Sequence, residues 1–203
     1  MTNWLHHGDL PDDVSFGTIV AVDTETMGLN PYRDRLCLVQ LSSGDGNAHL
    51  VQFSPCDYAA PRLKELLSDP GITKLFHFAR FDLAMIYHHL GVMALPAYCT
   101  KIASRLARTF TDRHGLRDLC KDLLGIELSK QQQSSDWGAE TLTEEQLRYA
   151  ASDVLHLHAL RGRLDVILAR ERRERLAGAC FEFLPHRVML DLEGWSEQDI
   201  FAH

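Results

Sequence analysis

No stretch of the 203 residues approaches the ~20 consecutive apolar residues that a membrane span needs, so the acidic residues discussed below are not intramembrane. Met1 to Asp13 is polar and carries His6, His7, Asp9, Asp12 and Asp13, which is neither a secretory signal nor an Arg-rich transit peptide. The expectation is a cytoplasmic protein. The five cysteines (Cys37, Cys56, Cys99, Cys120 and Cys180) are scattered and odd in number, with no C-x-x-C pair. That argues against a disulfide framework or zinc ribbon and for reduced, mostly buried thiols. The His6-His7 and His88-His89 pairs show no convincing metal-ligand spacing. Repeats and low-complexity segments are also missing, which sets aside solenoid and propeller folds.

Positive charge is in deficit. The formal net charge of -7 excludes a basic protein that coats nucleic acid. It does not exclude an enzyme acting on nucleic acid, because charge is unevenly placed. Lys101 to Lys130 holds seven Lys/Arg against four Asp/Glu, and Arg161 to Arg175 six Arg against three acids. Such runs either hold phosphates or form solvated helix faces.

What is present is an ordinary globular composition, 45% hydrophobic and 24% charged, enough for one full domain over residues 1–203 with a short appendage. The first half reads as strands at Gly17–Asp23, Arg35–Leu41 and Ala48–Phe53, the last two forming a hairpin, with a fourth at Thr73–Phe78. Helical spacing covers Pro61–Leu67, Arg80–Leu90, Thr100–Thr109, Leu116–Leu124 and Thr143–Leu168, the last running on towards Ala179. Thr143 and Gln146 have the spacing of a capping box. The pattern predicts an α/β fold with a mixed sheet flanked by helices. Phe181–His203 is an apolar tail expected to pack on its own domain or on a neighbouring subunit. Trp4, Trp137 and Trp195 suit packing or interface roles better than base stacking.

Three segments carry carboxylates at informative places. In Val22-Asp23-Thr24-Glu25-Thr26-Met27-Gly28-Leu29, side chains two apart on an extended strand share a face, so Asp23 and Glu25 project together. Adjacent carboxylates repel unless a cation sits between them, although an edge strand entering a polar turn reads the same way. The apolar strand followed by D-x-D-x-T that opens haloacid-dehalogenase phosphatases is only approximated, since Glu25 replaces the second Asp and no later Lys precedes a paired Asp-Asp. Asp82 opens an apolar helix, where an acid also complements the macrodipole. Tyr149 and Asp153, four apart, put a phenol and a carboxylate on one helical face, which solvent exposure of the Asp would equally explain.

Taken together, Asp23, Glu25, Asp82, Asp153 and Tyr149 resemble, in order, spacing and local context, the three motifs of the DEDD exonuclease superfamily. Tyr-x-x-x-Asp marks its tyrosine branch, and the match runs from Asp23 to Asp153. Within that branch the chain is similar to the RNase D group, without room for that group's C-terminal helical domain, and it looks most like the short-chain nano-RNases.

The resemblance implies a ribonuclease H-like exonuclease fold whose first three strands form an antiparallel meander. It implies two Mg²⁺ or Mn²⁺ ions, roughly 4 Å apart in such sites, that activate water and steady the leaving 3′-oxygen. Asp23 would bridge both ions, Glu25 and Asp153 would complete the nucleophile-side ion, Asp82 would hold the second largely through water, and Tyr149 would position the attacking water. Leu29 would be an apolar wedge against the terminal bases, the alternative being a buried turn leucine. Thr24 is a further candidate for substrate contact. His77 and Arg80, flanking the Asp82 motif, are candidates for a substrate phosphate, the alternative being that each caps or pairs locally. Lys101, Ser104, Arg105, Lys130 and Gln132 are candidates for the 5′-phosphate.

The implied activity is 3′-5′ hydrolysis of short oligoribonucleotides down to dinucleotides. A substrate with few phosphates suits a net-acidic protein. Trimming of longer RNA 3′ ends, cleavage of single-stranded DNA, and an inert nucleic-acid-binding scaffold remain as alternatives. The implied partners are short RNA or DNA and further copies of the chain in a homo-oligomer, an octamer by resemblance, with no membrane.

Overall fold

The computed structural model describes residues 2–129, 132 and 134–202. A six-stranded sheet forms the middle layer, in spatial order β1-β4-β3-β2-β5-β6. Its strands are β1 (Asn3–His7), β2 (Ile19–Thr26), β3 (Leu36–Ser42), β4 (Ala48–Gln52), β5 (Thr73–Phe76) and β6 (Ala97–Cys99). β2, β3 and β4 make the expected antiparallel meander. β5 and β6 add in parallel beside β2, and β1 adds in parallel beside β4. All seven residues of β3 are buried, as befits a central strand covered on both faces.

Strand alternation divides β2 between two cores. Val20 and Val22 face α1 (Pro61–Ser68), α2 (Ala79–Leu90) and the end of α7 (Glu174–Leu190), packing with Leu63, Leu83, Ile86, Leu184 and Val188. Ala21 faces the other core, shared with α3 (Thr100–Ala107), α5 (Glu144–Leu155) and α6 (Leu157–Arg170). Asp23 and Glu25 continue on that second face. α4 (Leu116–Leu119) runs into a π-helical turn, Cys120–Leu124.

Two strands, and the course of the long helix after Thr143, differ from the sequence reading. β1 is polar and shows no alternation. It exists because its backbone pairs with β4, with Trp4 stacked on His49 at 4.6 Å between ring centroids. β6 has three residues, too few to leave a pattern. The continuous helix expected from Thr143 to Leu168 breaks at His156 (φ -107°, ψ -4°) into α5 and α6. Apolar spacing hides the break, because Val154, Leu157, Leu160 and Leu164 all enter one core across it. The helix does not run on to Ala179 either. It ends at Arg170, Arg172 turns the chain at φ 56°, and Ala177 belongs to α7. The Thr143–Gln146 capping box is formed, Gln146 N donating to Thr143 Oγ1 at 3.2 Å and Thr143 N to Gln146 Oε1 at 2.9 Å.

The apolar segment after Phe181 is the second half of α7, followed by a π-helical turn at Asp191–Trp195. Leu184 and Val188 bury against α2, whereas Trp195, Ile200 and Phe201 are exposed. Among the described residues no helix is long and apolar enough to cross a membrane.

Candidate active site

Two elements bring three carboxylates together. β2 points Asp23 and Glu25 towards α5, and the capping box starts α5 so that Tyr149 and Asp153 face back. One oxygen each of Asp23, Glu25 and Asp153 lie within 4.8 Å of one another. Asp82 approaches from the opposite face of the sheet. Phe78, in the left-handed region (φ 91°, ψ 43°), turns the chain from β5 into α2, and Asp82 follows in the first turn of that helix. Its carboxylate is 3% exposed and accepts a 2.7 Å hydrogen bond from Thr24 Oγ1. Thr24, on the α2 side of β2, therefore ties the two faces together.

Burial and mutual repulsion dominate the electrostatics of these carboxyls. Burial, then Asp23, Asp153 and Asp82, push the Glu25 carboxyl up to about 10. Burial pushes Asp23 up to about 7 against a backbone hydrogen bond at Thr24, and burial with the charge of Asp23 raises both Asp82 and Asp153. Burial and the carboxylates of Asp153, Glu25 and Asp23 raise the Tyr149 phenol, keeping it protonated. An all-oxygen set of mutually repelling carboxylates fits a hard divalent cation. Burial and Asp153 push the thiol of the neighbouring Cys120 up to about 12.

A cleft of about 330 Å³ opens over these groups, lined by Asp23, Glu25, His77, Lys101, Tyr149 and Asp153 among others. His77 is held neutral, burial and Lys101 lowering its pKa to about 3. Lys101 Nζ lies 4.2 Å from the centroid of the Phe78 ring, a cation–π contact at the rim.

Other candidates from the sequence do not line this cleft. Leu29 is 81% exposed, so it is not a buried turn leucine, and it borders an adjoining cleft with Tyr32, Phe78 and Arg80. Arg80 is engaged by Asp191, at 2.5 and 2.6 Å, and Arg187 holds the same carboxylate. Arg105 stands beside Lys101, Arg80 and Arg187 in another cavity. Ser104 is buried, its hydroxyl 2.8 Å from His114 Nδ1. Gln132 lies in a turn, and Lys130 is outside the described residues.

Residues that the sequence reading did not place at the site complete it, Trp137 among them in the packing role expected of it. Gln40, directly across from Asp23 in β3, donates from Nε2 to Asp23 Oδ2 at 3.3 Å. A lone glutamine inside the apolar run LCLVQLS was the available signal. Trp137 is buried with its ring 6.1 Å from that of Tyr149, fixing one side of the phenol. Thr100 meets His77 Nδ1 at 2.9 Å.

This fold and carboxylate constellation define a 3′-5′ exonuclease: the sequence profile of that family matches residues 10–169, and the chain belongs to it. At the level of individual proteins, the chain is similar to NrnC of Brucella melitensis. Against the structure of that protein bound to pGG, identity is 55%, with 100% of this chain and 99% of that one covered at a TM-score of 0.97. Against the same protein with bound Mg²⁺, identity is 54%, both chains are covered completely, and the TM-score is 0.96. Ribonuclease D of Gluconacetobacter diazotrophicus is 37% identical over 155 residues, which make up 76% of this chain. They make up only 38% of that ribonuclease, so the chain spans well under half the length of this relative.

Proposed function

We propose that the chain, as a single exonuclease domain, hydrolyses short oligoribonucleotides from the 3′ end, down to and including dinucleotides, and releases 5′-mononucleotides. The observation that carries this reading is the convergence of Asp23, Glu25 and Asp153 within 4.8 Å beneath an open cleft. Support for the short substrate comes from the likeness, along the whole chain, to a protein captured with pGG.

Two Mg²⁺ or Mn²⁺ ions held there would lower the pKa of a water and stabilise the leaving 3′-oxygen. Asp23, Glu25 and Asp153 would hold one ion, and Asp23 with Asp82 the other. Thr24 and Gln40 fix the carboxylates they touch, keeping Asp82 and Asp23 in place. Tyr149, a protonated phenol packed by Trp137, orients the attacking water and does not take its proton. Lys101 offers the cleft a positive charge for phosphate. Leu29, Arg80 and Arg105 stand further along the surface, where a second nucleotide would extend. Ribonuclease D-like trimming of longer RNA is the second reading, favoured by the 37% identity to that enzyme.

The test is metal restoration. After stripping with EDTA, adding Mg²⁺ or Mn²⁺ is expected to restore shortening of a 5′-labelled RNA heptamer one nucleotide at a time, with an Asp153→Ala preparation inactive. Cleavage that survives chelation, or equal activity in that variant, rejects the metal-dependent site.

The same proposal includes a homo-oligomer, an octamer as the sequence resemblance implies, supported by the exposed Trp195, Ile200 and Phe201. Deleting Leu192–His203 is expected to lower the mass measured by light scattering. An unchanged mass removes this segment from the interface.

A further inference from the structure

One ring in the cleft has its hydrogen-bond polarity set by its neighbours. Thr100 donates its hydroxyl hydrogen to the Phe76 carbonyl oxygen at 3.1 Å, while its oxygen lies 2.9 Å from His77 Nδ1. A hydroxyl has one hydrogen to donate. With that hydrogen engaged by Phe76, the contact to His77 runs the other way: Nδ1 carries the hydrogen and Thr100 accepts. The neutral imidazole is then left with a bare lone pair on Nε2. No partner for Nε2 exists among the described residues. His77 lines the same cleft as Asp23, Glu25, Tyr149 and Asp153.

A bare imidazole nitrogen does not suit a phosphate, whose oxygens at neutral pH present only lone pairs. The expectation that His77 contacts a substrate phosphate therefore has the wrong polarity for this ring. Of the donors that a nucleotide carries, base amino and imino groups lie far from the reacting bond. The sugar hydroxyls lie beside it, the 2′-hydroxyl on the carbon next to the one bearing the bridging oxygen.

We propose that His77 Nε2 accepts a hydrogen bond from a ribose hydroxyl of the bound nucleotide, so that His77 reads the sugar. This rests on the exonuclease reading above and names the contact by which that site recognises RNA. Thr100 is the positioning residue, since its two hydrogen bonds select the tautomer.

The test compares kcat/KM on three dinucleotides: all-ribo, 2′-deoxy, and ribo with a 3′-deoxy terminus. Wild type is set beside His77→Phe, which keeps a ring of similar size without the lone pair, and Thr100→Val, which leaves His77 in place but unlocks its tautomer. Loss of one neutral hydrogen bond predicts a fall of about 3- to 10-fold for His77→Phe on the ribo substrate. That loss disappears on whichever deoxy substrate lacks the contacted hydroxyl, and Thr100→Val shows a smaller loss with the same substrate pattern. An equal loss on all three substrates in both variants overturns the assignment while leaving the exonuclease reading standing. Failure of wild type to cut any of the three removes the exonuclease reading, and this proposal with it.

Discussion

Asp153→Asn is expected to lower phosphodiester cleavage by about 10³-fold or more and, at pH 8 without added metal, to raise the melting temperature. The first effect follows from removing a carboxylate proposed to hold a catalytic cation, whose stabilisation of transition-state charge amounts to several kcal/mol. The second follows from crowding. Asp153 is one of the charges that raise the Glu25 carboxyl, and its own carboxyl is raised by burial and by Asp23. A neutral amide of the same shape relieves that repulsion. Each kcal/mol relieved raises Tm by about 2–4 °C in a chain of this length. Rate measurements beside thermal melts check both effects on one preparation. A variant that loses activity and also melts lower would mean that Asp153 is structural, and the opposed changes expected here would not be seen.

Metal binding is expected to stabilise the protein strongly at pH 8 and hardly at pH 5. In the folded chain the Asp23 and Glu25 carboxyls are raised to about 7 and about 10, above the ordinary carboxyl range of about 4 that they recover on unfolding. Between those limits the native state binds more protons than the unfolded state, so the stability of the metal-free protein falls as pH rises. Cations compete with those protons for the same oxygens, so their benefit grows in the same direction. At about 100 times the dissociation constant, ligand binding contributes about 2.7 kcal/mol, a rise of about 5–10 °C in Tm. Melts with EDTA and with Mg²⁺ or Mn²⁺ at the two pH values test this. An equal gain at both would place the bound cation away from these carboxylates.

The residues that converge here were legible because local patterns pair them and the resemblance of the three segments to exonuclease motifs joins the pairs. Asp23 and Glu25 need only the two-residue repeat of a strand, and Tyr149 and Asp153 only the four-residue step of a helix. The capping box that orients α5 is likewise local. Gln40 and Thr100 were not legible, and Trp137 was legible as a packing residue but not as the neighbour of Tyr149, because each acts across the fold on a residue that no periodicity joins to it. Arg80 was legible as a candidate phosphate contact or a paired arginine, but not its carboxylate partner, Asp191, 111 residues later. β1 was hidden for a related reason, since a polar edge strand is defined by the backbone of β4. The break at His156 was masked by apolar spacing that serves one core from two helices.

The most direct test of the account compares kcat/KM for a 5′-phosphorylated ribodinucleotide, the matching heptamer and a long unstructured RNA, at saturating Mg²⁺ with Asp153→Ala as the contamination control. The account predicts the highest value on the dinucleotide, falling as length increases. The highest value on the long RNA would contradict it and make the chain a trimmer of RNA 3′ ends.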